Sequence, residues 1–242
     1  MFYIQKPSTA RSLVACAIAS ISFAAIAQDA KPETPEDIAG PADPIVVTAT
    51  RIPTRYNQLI SDVSVVAQEE IRDYGSQAPI SDILANEAGI TVRTSGGLGT
   101  TTSVQMRGAN TNQTILLVDG LRLNSAANGA APWSFLPMPQ FNRMEVVRGP
   151  TSSSYGSDAI GGVIQLFTRR GEGDAKFYAD AEYGTYATSS ETLGVEGSLG
   201  GLSYSVYGAN THSVSIPTYT KSLPNATPGS YTNTSASANL IY

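Results

Sequence analysis

The sequence predicts an α+β domain with a small mixed sheet, followed by antiparallel strands of an incomplete transmembrane β-barrel. Three observations carry that reading. Short strand-like and helix-like segments alternate over residues 50–170, apolar and polar residues alternate with period two beyond residue 174, and Gly or Pro punctuates most joins.

The amino terminus reads as a leader. Lys6 and Arg11 precede an apolar or small run from Leu13 to Ala27, no acidic residue comes before Asp29, and Ala25-Ile26-Ala27 is a small-x-small cleavage site. That is the layout of a secretory signal peptide over residues 1–27. Leu13-Val14-Ala15-Cys16 is similar to a lipoprotein cleavage box, but the apolar region follows Cys16 instead of preceding it. Cleavage removes the single cysteine, so the exported chain has no disulfide and no thiolate metal site. It also takes the net charge from −5 to about −7 as Lys6 and Arg11 leave. An acidic chain offers no basic stripe, which argues against nucleic acid as a partner. No later segment is apolar for long enough to span as a helix, so any spanning structure must be β.

Residues 28–42 are crowded with Pro, Ala, Asp and Glu, a composition of disordered linkers. Ile45-Val46-Val47-Thr48 then interrupts with four β-favouring residues. Such a segment is either the first strand of the next domain or a peptide held out for another protein to pair with by β-augmentation. Pro44 suits both, since it removes a ladder donor only at the strand start.

Within 50–170, Ser61–Val66 reads as a strand and Gln68–Tyr74 as a short helix stopped by Gly75. Residues 80–86 form a second helix, with Ile80, Ile83 and Leu84 at helical spacing and Gly89 as its stop. Strands are expected at 90–92, 103–108, 114–120, 144–147 and 163–168, with Asp119-Gly120 as a tight-turn signal. A Gly-rich, charged linker follows at 169–174.

Beyond it, Phe177, Ala179, Ala181 and Tyr183 alternate with polar neighbours, as do Leu193, Val195, Gly197 and Leu199. Leu202, Tyr204 and Val206 repeat the pattern after Gly200-Gly201, and Ala236, Ala238, Leu240 and Tyr242 close it. Strands of about ten residues with one apolar and one polar side suit a barrel wall facing lipid. A tight turn at Gly200-Gly201 and a long polar loop at 211–232 complete the strand connections. A soluble sheet shows the same alternation, so a secreted sandwich stays open at this point.

Four motifs stand in order along the first domain: Met106-Arg107-Gly108, the run from Leu117 to Asn124 (LVDGLRLN), Val147-Arg148-Gly149-Pro150, and the run from Tyr155 to Ile164 (YGSDAIGGVI). With the acidic-x-x-Val-Val-Thr-Ala stretch before them, the chain resembles the plug domain and first barrel strands of TonB-dependent outer-membrane receptors. The wording is most similar to the cobalamin receptor subgroup. The resemblance divides the chain into a signal peptide (1–27), a linker (28–42), a TonB box (43–49), a plug (50–170) and about four barrel strands (175–242). It implies placement in the outer membrane of a Gram-negative bacterium, in contact with outer-membrane lipid. It also implies a scarce large nutrient as ligand, cobalamin first or an iron chelate.

Further roles are implied by that resemblance alone. Asp43, Pro44, Ile45, Val46, Val47, Thr48 and Ala49 would pair with TonB on the periplasmic side. Arg107 and Arg148 would pair with glutamates on the inner barrel wall, or else stand exposed. Ligand contact would come from two loops pointing outward. The first is 94–102, with Ser95, Gly96, Gly97, Leu98, Gly99 and Thr100. The second is 124–133, with Asn124, Ser125 and Asn128, and with Trp133 either offering an apolar face or packed beneath the barrel. The receptors carry about twenty-two strands, whereas the few predicted here cannot close a barrel of even about eight. The chain is therefore expected to be a partial or truncated receptor that does not transport alone.

Catalytic and metal chemistry find no foothold. The single histidine, His212, falls in the predicted loop at 211–232, and the acidic residues lack paired spacing. Gly96, Gly97 and Gly99 lack a following Lys-Ser/Thr, so they make a poor phosphate loop. That outer loop contains no Asp or Glu, which puts calcium in doubt. No enzyme activity, cofactor or metal is expected. A passive porin-like channel and a non-transporting binding module remain the readings from other classes.

Overall fold

A computed structural model describes residues 44–75, 78–214 and 229–242. The leader, the linker, Asp43 and most of the long polar loop, residues 215–228, lie outside the described residues.

In chain order, β1 (Ile45–Val46) and β2 (Thr54–Arg55) pair with each other, then β3 (Asp62–Val66) leads into α1 (Gln68–Asp73) and α2 (Ile80–Asn86). β4 (Ile90–Thr94) and β5 (Thr102–Met106) form a separate hairpin. β6 (Thr114–Val118) turns through Asp119-Gly120 into β7 (Leu121–Arg122). β8 (Phe141–Arg148), the single turn α3 (Ser152–Tyr155) and β9 (Gly162–Thr168) complete the domain. One sheet is ordered β3-β8-β9-β6-β7, with β6 parallel to β9 and every other pair antiparallel, so it is mixed as predicted.

The two central strands explain the packing. β8 and β9 are buried along nearly their whole length on both faces, hence their almost continuous apolar runs. On one face Val66, Leu116, Met144, Val146, Ile164 and Leu166 meet α1, α2 and the hairpin through Ile71, Ile80, Ile83, Leu84 and Val104. On the other, Ile115, Leu117 and Val163 pack with Ala159 and Tyr155, while Val63 and Val147 receive Val46. Gly162 makes the register possible. Its φ is +147°, and a Cβ there would collide with the Val147 carbonyl and the Met106 sulfur.

The second sheet is a meander of β10 (Lys176–Gly184), β11 (Thr188–Leu199), β12 (Leu202–Val214) and β13 (Ser230–Ile241), in that order. Its inner face buries Thr188, Ser190, Thr192, Ser205, Tyr207 and Ser213. Its outer face exposes Phe177, Tyr183, Leu193, Val206 and Leu240. Polar side chains inward and apolar ones outward is the inverse of a soluble sheet and the pattern of a barrel wall. β10 and β13 are not paired with each other, so this wall is open. The inner face meets the first domain through Asn239 Nδ2 on Thr168 Oγ1 at 2.8 Å, Tyr231 Oη on the Ser134 carbonyl at 3.2 Å and Ser203 Oγ on the Gly171 carbonyl at 2.8 Å.

The outer face yields a prediction. Leu193→Arg should cost about 2–4 kcal/mol in a phospholipid bilayer, where a cation near the midplane loses its hydration. Urea titration of the reconstituted chain checks it, with the inner-face substitution Ser205→Ala as the small-effect reference.

Two readings need correction. His212 is on β12, with Nδ1 3.0 Å from Thr232 Oγ1 on β13, so it belongs to the strand ladder and not to a loop. The predicted loop at 211–232 is shorter, because β12 runs to Val214 and β13 starts at Ser230. Ser, Thr and Asn at both strand ends hide the continuing ladder from a pattern that counts apolar residues. No described helix is long and apolar enough to cross a membrane, which says nothing of crossing by strands.

Candidate functional site

The segment 44–49 is docked, not free. Ile45 and Val46 pair with Arg55 and Thr54, which supplies the local partner that the sequence does not reveal. The chain then turns back, with Arg51 N donating to the Val47 carbonyl at 2.8 Å and Arg51 itself at φ +59°. Alternation decides what is hidden: Val46 and Thr48 are fully buried, whereas Pro44 and Ile45 are exposed.

The polar surroundings of this segment come from the mixed sheet. Glu145 on β8 and Gln165 on β9 stand directly opposite each other, and both are buried. Glu145 Oε2 accepts from Val47 N at 3.1 Å, Thr48 N at 2.8 Å and Thr48 Oγ1 at 2.6 Å, with Gln165 Oε1 2.9 Å from the same hydroxyl. Arg143 Nη2 lies 2.8 Å from Glu145 Oε1, while its Nη1 donates to the Ile45 carbonyl at 3.0 Å. Tyr155 Oη donates to the Thr48 carbonyl at 2.8 Å. Burial pushes that phenol up, opposed by Arg51, whose guanidinium lies 4.4 Å from the ring centroid, so the hydroxyl stays a donor. Sequence reasoning missed Glu145, Gln165 and Tyr155. The available signal was a carboxylate and an amide inside two apolar runs.

The two candidate ligand loops separate. In the first, Ser95 N bonds the Thr101 carbonyl at 3.0 Å and Thr100 Oγ1 the Gly97 carbonyl at 2.8 Å. Gly99, at φ +77°, lies against the Tyr231 ring. Gly97 and Leu98 line a cavity of about 330 Å³ with Pro79, Asp82, Tyr186 and Ser213, beside the β10–β11 connection. Burial pushes the Asp82 carboxyl up, with the Ser81 hydroxyl opposing. Asn124, Ser125 and Asn128 line a different cavity of about 410 Å³, next to the Arg122–Asp158 ion pair at 2.6 Å. Gly96 has φ +159° in the first loop.

Asn124 is a structural residue. Its Oδ1 accepts from Leu116 N at 2.8 Å and its Nδ2 donates to the carbonyls of Thr114 at 3.0 Å and Gly129 at 2.8 Å, which leaves its amide little capacity for a ligand. Of the two readings of Trp133 the packed one fits its place: it is 1% exposed in the main core and offers no face to solvent. Its neighbour Ser134 reaches the first loop instead, donating to the Thr100 carbonyl at 2.6 Å.

The arginine expectations change as well. Arg148 is buried and satisfied within the domain, with Nε on the Ala88 carbonyl at 2.6 Å, Nη2 on Ser64 Oγ at 2.9 Å and on Glu87, and Nη1 3.4 Å from Asp62. These partners all lie within the first domain. Arg107 pairs with Asp62 on a half-exposed surface and sits at φ +51°. Its partner is again internal, because Asp62 opens β3 and Glu87 caps α2 beside the two Arg-Gly turns. Among the described residues, no group of three or more His, Cys, Asp or Glu could hold a metal.

This architecture has known relatives. The family described as TonB-dependent Receptor Plug Domain matches residues 57–163. The vitamin B12 transporter BtuB of Vibrio vulnificus (strain CMCP6) is 41% identical over 130 residues, which cover 54% of this chain and 21% of that protein. The chain thus spans about a fifth of the transporter's length. The ferripyoverdine receptor of the outer membrane of Pseudomonas aeruginosa, bound to ferripyoverdine, is similar at a TM-score of 0.58 and 22% identity, over 70% of this chain and 22% of that one. A mutant ferric enterobactin receptor from Pseudomonas aeruginosa gives 0.52 and 24%, over 70% and 26%. At these identities the two structures speak for the fold alone.

Proposed function

Residues 57–163 match the TonB-dependent receptor plug family, and we propose that the chain is the plug and first wall strands of a receptor for energised uptake of cobalamin. The observation that carries the ligand is the 41% identity to a vitamin B12 transporter over 130 residues. It is the only comparison above that names a ligand at an identity high enough to bear on specificity. The open wall of β10–β13, apolar outward and polar toward the plug, supports placement in the outer membrane of a Gram-negative bacterium.

The work of such a protein is positional, not chemical. Ligand contacts at the first loop, around Ser95–Thr100, would shift the plug's population. Residues 43–49 would then be handed to TonB, whose pull opens a path past the mixed sheet. The second loop contributes through Ser125 and Asn128, beside Arg122 and Asp158, while Asn124 and Trp133 hold the frame.

Calorimetric titration of the chain in detergent with cyanocobalamin, cobinamide and a ferric catecholate siderophore tests the ligand. Saturable heat is expected with the two corrinoids and none with the iron chelate. Binding of the ferric chelate alone would replace cobalamin with iron.

A further inference from the structure

We infer that Glu145 is the latch that keeps residues 45–49 stowed, so that partner access is set by how often this one carboxylate lets go. The inference rests on the reading of residues 43–49 as the TonB-binding strand. A strand offered for β-augmentation must present backbone N–H and C=O groups along a free edge. Here consecutive donors, Val47 N and Thr48 N, converge on a single oxygen, Glu145 Oε2. Successive N–H groups of an extended strand point to opposite sides, so this convergence breaks the strand after Val46. A partner cannot extend the ladder past Val46 without pulling both donors off the carboxylate. The latched and the TonB-paired forms exclude each other.

The placement of Glu145 has no other evident purpose. It is fully buried in the middle of the Met144–Val147 apolar run, where an unused charge is costly. Its three donors from Val47 and Thr48 offset that cost, and Arg143 supplies the countercharge at 2.8 Å while also gripping the Ile45 carbonyl. Arg143 is itself part exposed, so release of the segment opens the carboxylate to water and rehydrates it. The latch is therefore reversible. Val46, packed on Val63 and Val147, adds an apolar contact that the same motion must undo.

The test uses the full chain in detergent, with Cys16→Ala and a nitroxide on Ile45→Cys, a side chain that is 52% exposed. Spin-label mobility and affinity for the periplasmic domain of TonB are measured in this background, in Glu145→Leu and in Thr48→Val. Trp133, the single tryptophan and a core residue, reports whether each variant keeps its fold. The latch predicts an immobilised label in the unmodified background, a mobile one in Glu145→Leu and a partly mobile one in Thr48→Val, which keeps the Val47 and Thr48 N–H bonds. It also predicts roughly tenfold tighter TonB binding by Glu145→Leu, because the competent fraction rises. If Glu145→Leu alters Trp133 emission, Thr48→Val decides, since it removes only a hydroxyl outside the sheet. A label that is mobile from the start, or no more mobile in either folded variant than in the background, overturns the latch. Freed labels with no TonB binding in any form uphold the latch and overturn the TonB reading of 43–49.

Discussion

Replacing Arg148 with methionine is expected to cost the plug about 3–5 kcal/mol, the usual penalty for breaking a buried ion pair by removing one partner. The guanidinium is 6% exposed and serves the Ala88 carbonyl, Ser64, Glu87 and Asp62 from one position. Without it, Glu87 is left 15% exposed with a charge and no cation. Arg148→Lys should recover only part of the loss, because an ammonium cannot reach the same partners in the geometry of a planar fork. Arg107→Met gives the contrast. Its pair with Asp62 is half exposed on both sides, so under about 1 kcal/mol is expected. Chemical denaturation followed by Trp133 fluorescence separates these outcomes. Equal costs at the two arginines would contradict the burial argument.

The largest functional effect is expected from Val46→Pro or Val47→Pro. Either removes a backbone N–H and fixes φ within the short segment that the proposed function hands to TonB. Energised uptake by a receptor carrying this plug should fall to the level seen without TonB, while cobalamin binding at the outer loops stays within about twofold. The proposed TonB segment rests on Glu145 and Gln165, whereas the proposed ligand loop lines a separate cavity through Gly97 and Leu98. Uptake and equilibrium binding of labelled cyanocobalamin measure the two separately. Loss of binding would mean that 45–49 shapes the ligand site.

Much of this architecture was legible because local pattern and tertiary demand agree. α2 is found where Ile80, Ile83 and Leu84 share a helical face, with Gly89 beyond it at φ +74°. Asp119-Gly120 turns between β6 and β7 with both residues at positive φ, as a two-residue hairpin requires. The wall strands follow their period of two. What escaped depends on contacts far apart in sequence. The bonds from Thr48 to Glu145 and Gln165 span 97 and 117 residues, and β1 and β2 are each two residues long, too short for any periodicity. α3 is a single turn of Ser-Ser-Ser-Tyr, poor helix formers that carry no helical pattern. Trp133 left two readings open in the sequence, and only its place among Ile80, Leu84, Met138 and Phe141 in the core chooses between them. Arg107 and Arg148 meet carboxylates within the domain, not the wall glutamates that the resemblance implies. Their partners, Asp62 and Glu87, were not recognisable as such from β3 and the end of α2 alone.

The central claim is that residues 43–49 are handed from the plug to TonB, and site-directed cross-linking measures it most directly. Single cysteines placed in turn at 43 to 49, in a Cys16→Ala background, are challenged with a periplasmic TonB domain carrying one cysteine in its sheet edge. Disulfide cross-links are expected along this segment, alternating in strength with the period of a paired strand. They are also expected to strengthen when Glu145 is replaced by leucine. Cross-links absent from all seven positions would contradict the claim.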